Sequence, residues 1–423
     1  MIQLVLGAWL LLVAPMVATA TVVQEELDAI VNQQEIVLDD LFRLAELKNP
    51  ALSAAQARAA AHAGRTRQAE LYPNPVFKFE VDELLTADPD FHKEKVTLEQ
   101  TLIISGRRGA GVSFANLLAE ATNEDLEKTR REIYQRIHTH WVEFLYFREA
   151  DAALDELLEL ANHTLQIARV RFEARAAPES HVIKALLDVY ELEATQLRLS
   201  QLQTGSELEL QALFGGLHLS MHRAIGTLEP SPATGLSETD SLPPHPSLNA
   251  ALHRYEAAEA ALDQARAERF PDLGLSASYG RIRPTGESFI EAGISIPIPL
   301  FNRNQGLIAE RSALLAEAQA QMLVVESNFN AKIAEGRARY QAIRVEMQIL
   351  DERMLPAARR GLAQAQEGYR VGKLQFLELI DAQRTLSDIR LKNLELKRDL
   401  VLAEVELASL AGTGPYAHKG EKR

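Results

Sequence analysis

The side chains able to bind metal or move protons in this chain of 423 residues are 11 histidines and 59 acidic residues, because there is no cysteine. That absence excludes a disulfide framework, a thiolate metal site, a cysteine nucleophile and a lipidated N-terminal cysteine. Two histidine pairs have suggestive spacing. His218 and His222 stand four apart, right for two ligands on one helical face, but they sit beside Gly215-Gly216 in a loop-rich stretch. His138 and His140 are two apart and so belong to different faces of a helix. Surface or packing roles outweigh a metal site for both pairs. There is no Gly-x-Ser-x-Gly elbow, phosphate loop, His-Glu-x-x-His or dinucleotide fingerprint. Gly106-Arg107-Arg108-Gly109 is a turn between strand and helix, not a nucleotide cradle. No catalytic residue, metal site or cofactor is therefore expected. The net charge of -14, without a long basic run, argues against a nucleic-acid partner.

The elements that would carry any function repeat. Asn49-Pro50-Ala51-Leu52 is echoed by His245-Pro246-Ser247-Leu248, and Tyr72-Pro73-Asn74 by Phe270-Pro271-Asp272. Leu102–Gly109 aligns with Ile298–Gly306, and Arg171-Phe172-Glu173-Ala174 with Gly368-Tyr369-Arg370-Val371. Four landmarks in one order, at an offset near 197, mark a tandem duplication. Each copy holds a long helix: Val112–Ala177 lacks glycine and proline throughout, and Leu307–Leu355 is interrupted only by Gly336. The first stretch would reach roughly 100 Å as a helix. Leu386, Ile389, Asn393, Leu396, Leu400, Ala403, Leu407 and Leu410 alternate three and four apart, a coiled-coil seam with Asn393 as a register-setting polar insert.

Residues 1–20 carry no charge, have an apolar core at Leu4–Val13 and end in Ala18-Thr19-Ala20, which predicts a secretory signal peptide. The missing basic residue before the core leaves an N-terminal anchor as the alternative. The remaining divisions are a first repeat at 21–214, a connector at 215–246, a second repeat at 247–412 and a tail at 413–423.

Four segments alternate with period two: about 75–84, 94–103, 272–281 and 289–299. Phe77, Phe79, Val81, Leu98, Leu275, Tyr279, Ile294 and Ile296 fall on their apolar sides, opposite charged or small residues. Strands of roughly nine to eleven residues cross a bilayer at a tilt, with a lipid-facing wall over a watery lumen. Two soluble hairpins laid on helices would show the same alternation. Pro297 and Pro299 weaken the fourth strand, since proline donates nothing to a ladder. Four strands cannot close a barrel and open edges are not tolerated in lipid, so several chains must share one.

The order signal, helix, hairpin, long helix, return helix, connector and the same again resembles the TolC family of outer membrane factors. The pieces that carry the resemblance are Tyr72-Pro73-Asn74-Pro75, Ser105-Gly106-Arg107-Arg108, Pro297 to Gly306, and Tyr369-Arg370-Val371-Gly372-Lys373. The resemblance implies a mainly α chain with a membrane β-barrel: a homotrimer with twelve strands in the outer membrane of a Gram-negative bacterium and a long helical tunnel in the periplasm. It implies a passive duct docking with a periplasmic adaptor and an inner-membrane pump. Residues 74–82 and 301–306 look like the CzcC-like heavy-metal branch, whose pump is of the RND type; drug efflux and type I secretion ducts share the fold. A soluble periplasmic coiled-coil adaptor is a more distant alternative, since adaptors usually carry one helical hairpin rather than two copies.

Family members meet the adaptor at helical turns, which here fall at Arg175 and Pro178 and at Val371, Gly372 and Lys373. Gly372 matches the family's turn glycine; Arg175, aligned with it, departs from that pattern, so Pro178 is expected to break the helix there instead. Glu378 and Asp381 stand where the family carries its acidic pair, and threefold symmetry would make them a cation filter or periplasmic gate. The first copy has His181 and Lys184 at the equivalent places.

Overall fold

The computed structural model describes residues 29–30, 33–82, 92–230, 245–283 and 285–416. The signal peptide, most of the connector's proline-rich half, the first hairpin's polar loop and the end of the tail lie outside these residues. In chain order the elements are α1 (Leu38–Lys48), α2 (Pro50–Ala69), β1 (Val76–Asp82), β2 (His92–Leu102), α3 (Arg107–Glu173) and α4 (Glu179–Leu213). Then follow α5 (Pro246–Ala267), β3 (Leu273–Arg283), β4 (Ser288–Ser295), α6 (Gln305–Ile349), a π-helical segment (Leu350–Met354), α7 (Leu355–Arg370) and α8 (Phe376–Ala411). Helix, hairpin, long helix and return helix thus occur twice. The chain divides into two compact units, residues 54–128 with 244–329, and residues 1–53, 129–243 and 330–423.

The first unit holds the sheet. Its strands run in the order β1-β2-β3-β4, all antiparallel. Residues paired directly across antiparallel strands share a face, so register decides which side chains lie together. One rung reads Phe77, Leu98, Ala277, Ala292 and the next reads Phe79, Val96, Tyr279, Ile290. The rungs between them read Lys78, Thr97, Ser278, Glu291 and Glu80, Lys95, Gly280, Phe289. Every apolar alternation therefore falls on one face. On the other, Lys78 pairs with Glu99, Lys95 Nζ lies 3.1 Å from Glu80, and the Thr97 and Ser278 hydroxyls are 2.9 Å apart. Gly280 leaves room there for the Phe289 ring, which would stand 2.3 Å from a Cβ at this position.

β4 ends at Ser295, short of the expected 299, and Ile296 lies just beyond it. Pro297 and Pro299 explain the stop, since neither can donate to a ladder. The register also sets polarity: Val76 pairs Glu99, Leu102 pairs Leu273 and Gly274 pairs Ser295, so all four helix connections leave from one end of the sheet. Gly106 (φ 79°) and Asn304 (φ 62°) turn the chain into the two long helices. Asparagine tolerates this left-handed backbone, and the Asn304 amide donates to the Ala265 carbonyl at 2.8 Å, closing the end of α5.

The repeated Asn-Pro and His-Pro landmarks are helix caps. Asn49 Oδ1 accepts from the Leu52 N–H at 2.9 Å, and His245 Nδ1 accepts from the Ser247 N–H at 3.2 Å. In each copy proline follows at the first helical position, where its missing donor costs nothing.

In the second unit the α8 seam is buried from Leu386 through Leu407, including Asn393. Asn393 donates to Asp351, which lies in the π-helical segment, and Leu350 packs on Ile389 and Leu396. Such one-turn π segments insert a residue and re-aim side chains; here the effect is to turn Asp351 to the one buried amide of the seam. Gly336 does not interrupt α6. It lets α8 come close, since a Cβ there would be 3.0 Å from Leu407 Cδ2.

Candidate functional site

Two helical turns of the second unit form the first candidate surface. α3 ends with the Ala176 N–H donating to the Arg171 carbonyl at 2.8 Å, and α7 ends with the Lys373 N–H donating to the Gly368 carbonyl at 2.8 Å. Both are the six-to-one bond of a Schellman cap, which needs a left-handed residue. Gly372 supplies it at φ 77° and Arg175 at φ 59°. The expectation that the first turn differs is thereby corrected: the residue departs from the pattern, the backbone does not. Pro178 does not break α3 but is the N-cap of α4.

The turns are held together by rings. His181 of α4 stacks on Phe376 of α8 with centroids 4.5 Å apart, and Tyr369 of α7 lies 5.5 Å from Phe376. The Arg171 guanidinium sits 4.2 Å over the Tyr369 ring. Burial, then Lys184 and Arg171, hold His181 below its ordinary pKa, which keeps it a neutral stacking ring. The sequence placed the adaptor-meeting turns around Phe172–His181 and Tyr369–Phe376, which take in His181, Tyr369 and Phe376, but it did not show that these rings stack on one another. Val371, Gly372 and Lys373 remain exposed beside the cluster, as do Arg175 and Pro178's neighbour Glu179.

Glu378 and Asp381 lie on one exposed face of α8, but their situations differ. The Glu378 carboxylate accepts from the Gln375 N–H at 2.9 Å, closing a capping box. Asp381 has no such duty. Two and three residues further along, the helix turns inward. Gln383 is buried, accepts from Thr164 at 2.8 Å and donates to Asp188 at 3.0 Å. Arg384 Nε donates to the same Asp188 at 2.9 Å. Burial raises the Asp188 pKa, and the Arg384 hydrogen bond opposes the rise. This buried tie between α3, α4 and α8 carries no sequence motif, since glutamine, aspartate and arginine are common on helices.

Helix α4 has two faces. One buries Ala185, Val189, Leu192, Leu199, Leu210 and Leu213. The other carries Ile183, Leu187, Tyr190, Ala194, Leu197, Gln201, Thr204 and Leu208, four and three apart without a break, and all exposed. The spacing of those residues was the signal that could have found this second heptad stripe, which went unremarked beside the α8 seam.

The sheet is the other candidate surface. Phe77, Phe79, Leu98, Leu275, Tyr279 and Ile294 are exposed on its apolar face, with Val81 half-buried. Both β1 and β4 have a free edge among the described residues.

The histidines divide as their spacing implied. His138 Nδ1 lies 3.0 Å from the Tyr416 hydroxyl, with Phe42 edge-on. His140 faces elsewhere, 3.1 Å from Glu143, 3.0 Å from Ser206 and 3.4 Å from Glu209. The first-named bond holds Glu143 below the usual carboxylate range. His218 lies in irregular chain and His222 in a single 3₁₀ turn, so their spacing makes no shared face. Among the described residues no group of three or more histidine, aspartate or glutamate side chains is arranged to hold a metal ion, and no helix is long and apolar enough to cross a membrane.

Residues 240–413 match the family described as outer membrane efflux protein. The cobalt-zinc-cadmium resistance protein CzcC of Cupriavidus metallidurans is 24% identical over 365 residues, 85% of this chain and 86% of that protein. The nickel-cobalt-cadmium resistance protein NccC of Alcaligenes xylosoxydans xylosoxydans is 26% identical over 239 residues, 56% of this chain and 54% of that one. The outer membrane protein VceC of Vibrio cholerae superposes with a TM-score of 0.76 at 21% identity, covering 89% of this chain and 96% of VceC.

Proposed function

We propose that this chain, which resembles outer membrane efflux proteins in sequence and in fold, is the outer membrane duct of a tripartite efflux system. The observation that carries the reading is the sheet: four strands with one exposed face on which Phe77, Phe79, Leu98, Leu275, Tyr279 and Ile294 gather, a charged opposite face and, among the described residues, two open edges. Lipid tolerates the face and forbids the edges. Other copies of the chain satisfy the edges, and three would bring about twelve strands into one closed barrel. The exposed heptad stripe of α4 offers those copies a second meeting place.

In this reading the chain catalyses nothing and conducts passively. Its partners are two further copies, outer membrane lipid, a periplasmic adaptor that meets the turns at Arg175–Pro178 and Val371–Lys373, and an inner-membrane pump of the RND type. Asp381, repeated by threefold symmetry, forms an acidic ring, with Glu378 one turn nearer the tip. The likeness to CzcC and NccC favours heavy-metal cations as cargo. A duct need not bind its cargo tightly, so the scattered histidines do not weigh against this.

The test is deletion of the gene, followed by growth on graded divalent and monovalent metals and on lipophilic drugs, with complementation by the intact gene and by Asp381→Ala. Sensitivity to metals alone, restored by the intact gene, is the expected result. Sensitivity to drugs alone overturns the metal cargo and leaves the duct; no sensitivity to either overturns the efflux role.

A further inference from the structure

The end of the sheet from which all four helix connections leave is edged by side chains that neither the barrel nor the helices use. Tyr72 precedes β1, Ile104 follows β2, Phe270 precedes β3, and Ile298, Leu300 and Phe301 follow β4, all exposed, with Phe301 at 90%. Arginines stand among them in a particular way. Arg108 lies 4.0 Å over the Tyr72 ring, steadied by its Nε donating to the Glu70 carbonyl at 3.1 Å. Arg269 lies 4.8 Å over the Phe270 ring, and Arg303 is exposed beside Phe301 in sequence.

The charges are unbalanced. Arg107 is paired with Asp272, and Glu268 is taken up by Gln264 and Asn304. Glu70 offers Arg108 only its backbone carbonyl. Arg108, Arg269 and Arg303 therefore have no carboxylate partner among the described residues, although the chain as a whole is strongly acidic. The Arg108 N–H groups are taken by the Glu70 carbonyl and the Tyr72 hydroxyl, but Arg269, laid on the Phe270 ring, and the exposed Arg303 present guanidinium N–H edges that match the paired oxygens of a phosphate. Aromatic and long apolar side chains mixed with arginine are the composition of a membrane–water boundary.

We infer that this rim is a seat for phospholipid headgroups, in which Arg269 and Arg303 grip the phosphate while Phe270, Ile298, Leu300 and Phe301 enter the acyl boundary. The inference rests on the reading of the sheet as membrane-spanning. The rim lies at the end of the sheet from which the helices leave, where the inner leaflet would meet it. The seat fixes how deep the sheet stands.

The full-length protein, extracted from membranes in mild detergent, is titrated with phosphatidylglycerol, with a diacylglycerol of the same chains, and with inorganic phosphate, and bound lipid is counted by native mass spectrometry. Phosphatidylglycerol is expected to bind and diacylglycerol not; Arg269→Gln with Arg303→Gln should weaken binding about fivefold for each arginine lost. Arg269→Lys with Arg303→Lys should recover part of it. Co-fractionation of the glutamine variant with the outer membrane, at parental yield, shows that the fold survives. Equal lipid retention by variant and parent overturns the seat alone, as does displacement of the lipid by millimolar inorganic phosphate. A parent chain that stays soluble without detergent overturns the membrane reading and the seat with it.

Discussion

Acid should loosen the second unit through His138, and the size of the effect follows from its surroundings. Burial between Phe42 and Tyr416 brings the His138 pKa down to about 4 from its ordinary 6.5, with no acidic neighbour to hold it up. An unfolded chain takes up the proton near pH 6.5, the folded chain only near pH 4, so between those values the unfolded state binds more protons. The stability this neutral ring permits is whole above pH 6.5 and is lost as the pH falls to 4. At 1.36 kcal/mol per unit the full loss is about 3 kcal/mol, and between pH 7 and pH 5 it is about 2 kcal/mol. Trp141 reports on it directly: it is buried, three residues along α3 from His138, and the other of the two tryptophans is Trp9, within the segment read as a signal peptide. Denaturant unfolding followed by Trp141 fluorescence at pH 7 and pH 5 should show the parent losing about 2 kcal/mol more than His138→Phe, which cannot titrate. Parallel pH profiles for the two proteins would refute the reasoning, because they would mean that His138 binds its proton in the folded state as readily as in the unfolded one.

Two further expectations concern the turns and the α4 stripe. Arg175→Gly relieves a left-handed non-glycine residue and should stabilise the second unit by about 0.5–1 kcal/mol, whereas Gly372→Ala should cost about 1 kcal/mol; denaturant midpoints with an unchanged slope decide both. Leu197→Glu alters a residue 74% exposed in the single chain. It should leave that chain's folding within about 0.5 kcal/mol and abolish assembly; light scattering in detergent should show the trimer's mass fall to the monomer's, and an unchanged mass would remove this stripe from the interface.

Much of the fold was legible because it rests on local rules. Period-two alternation at Phe77–Val81 and Leu273–Tyr279, the prolines at 50 and 246 and the α8 seam each state a geometry without reference to distant residues. The ends of elements were harder. β4 stopped early because two prolines outweighed continued alternation through Ile298, and α6 ran through Gly336 because close packing on Leu407 used the missing Cβ. The candidate surfaces were legible only in part. Glycine at 372 announced a left-handed turn, while arginine at 175 concealed one, since nothing in its own chemistry favours that backbone. The Gln383–Asp188–Arg384 tie and the His181–Phe376 stack join residues more than 190 apart, and no spacing rule reaches that far.

The duplication bears on which acidic residue matters. Positions 175 and 372, 178 and 375, and 181 and 378 correspond, and the backbone is used alike within each pair. The first pair is left-handed, the second caps the following helix, and the third is the third residue of that helix. At the last pair the side chains part. His181 turns inward to stack on Phe376, and Glu378 turns back to hold the Gln375 N–H. The first copy has thus put its residue into joining the turns, and the second has put its carboxylate into closing its own helix. A capping carboxylate is worth about 1 kcal/mol to its helix whether or not it faces a pore, which by itself accounts for a glutamate at 378. Asp381 is different: its aligned residue is Lys184, its exposed carboxylate caps nothing, and the helix would stand as well on an alanine there. An acidic residue that the fold does not require, on the exposed face of α8, is therefore the one on which the proposed acidic ring rests, and the Asp381→Ala complementation tests it.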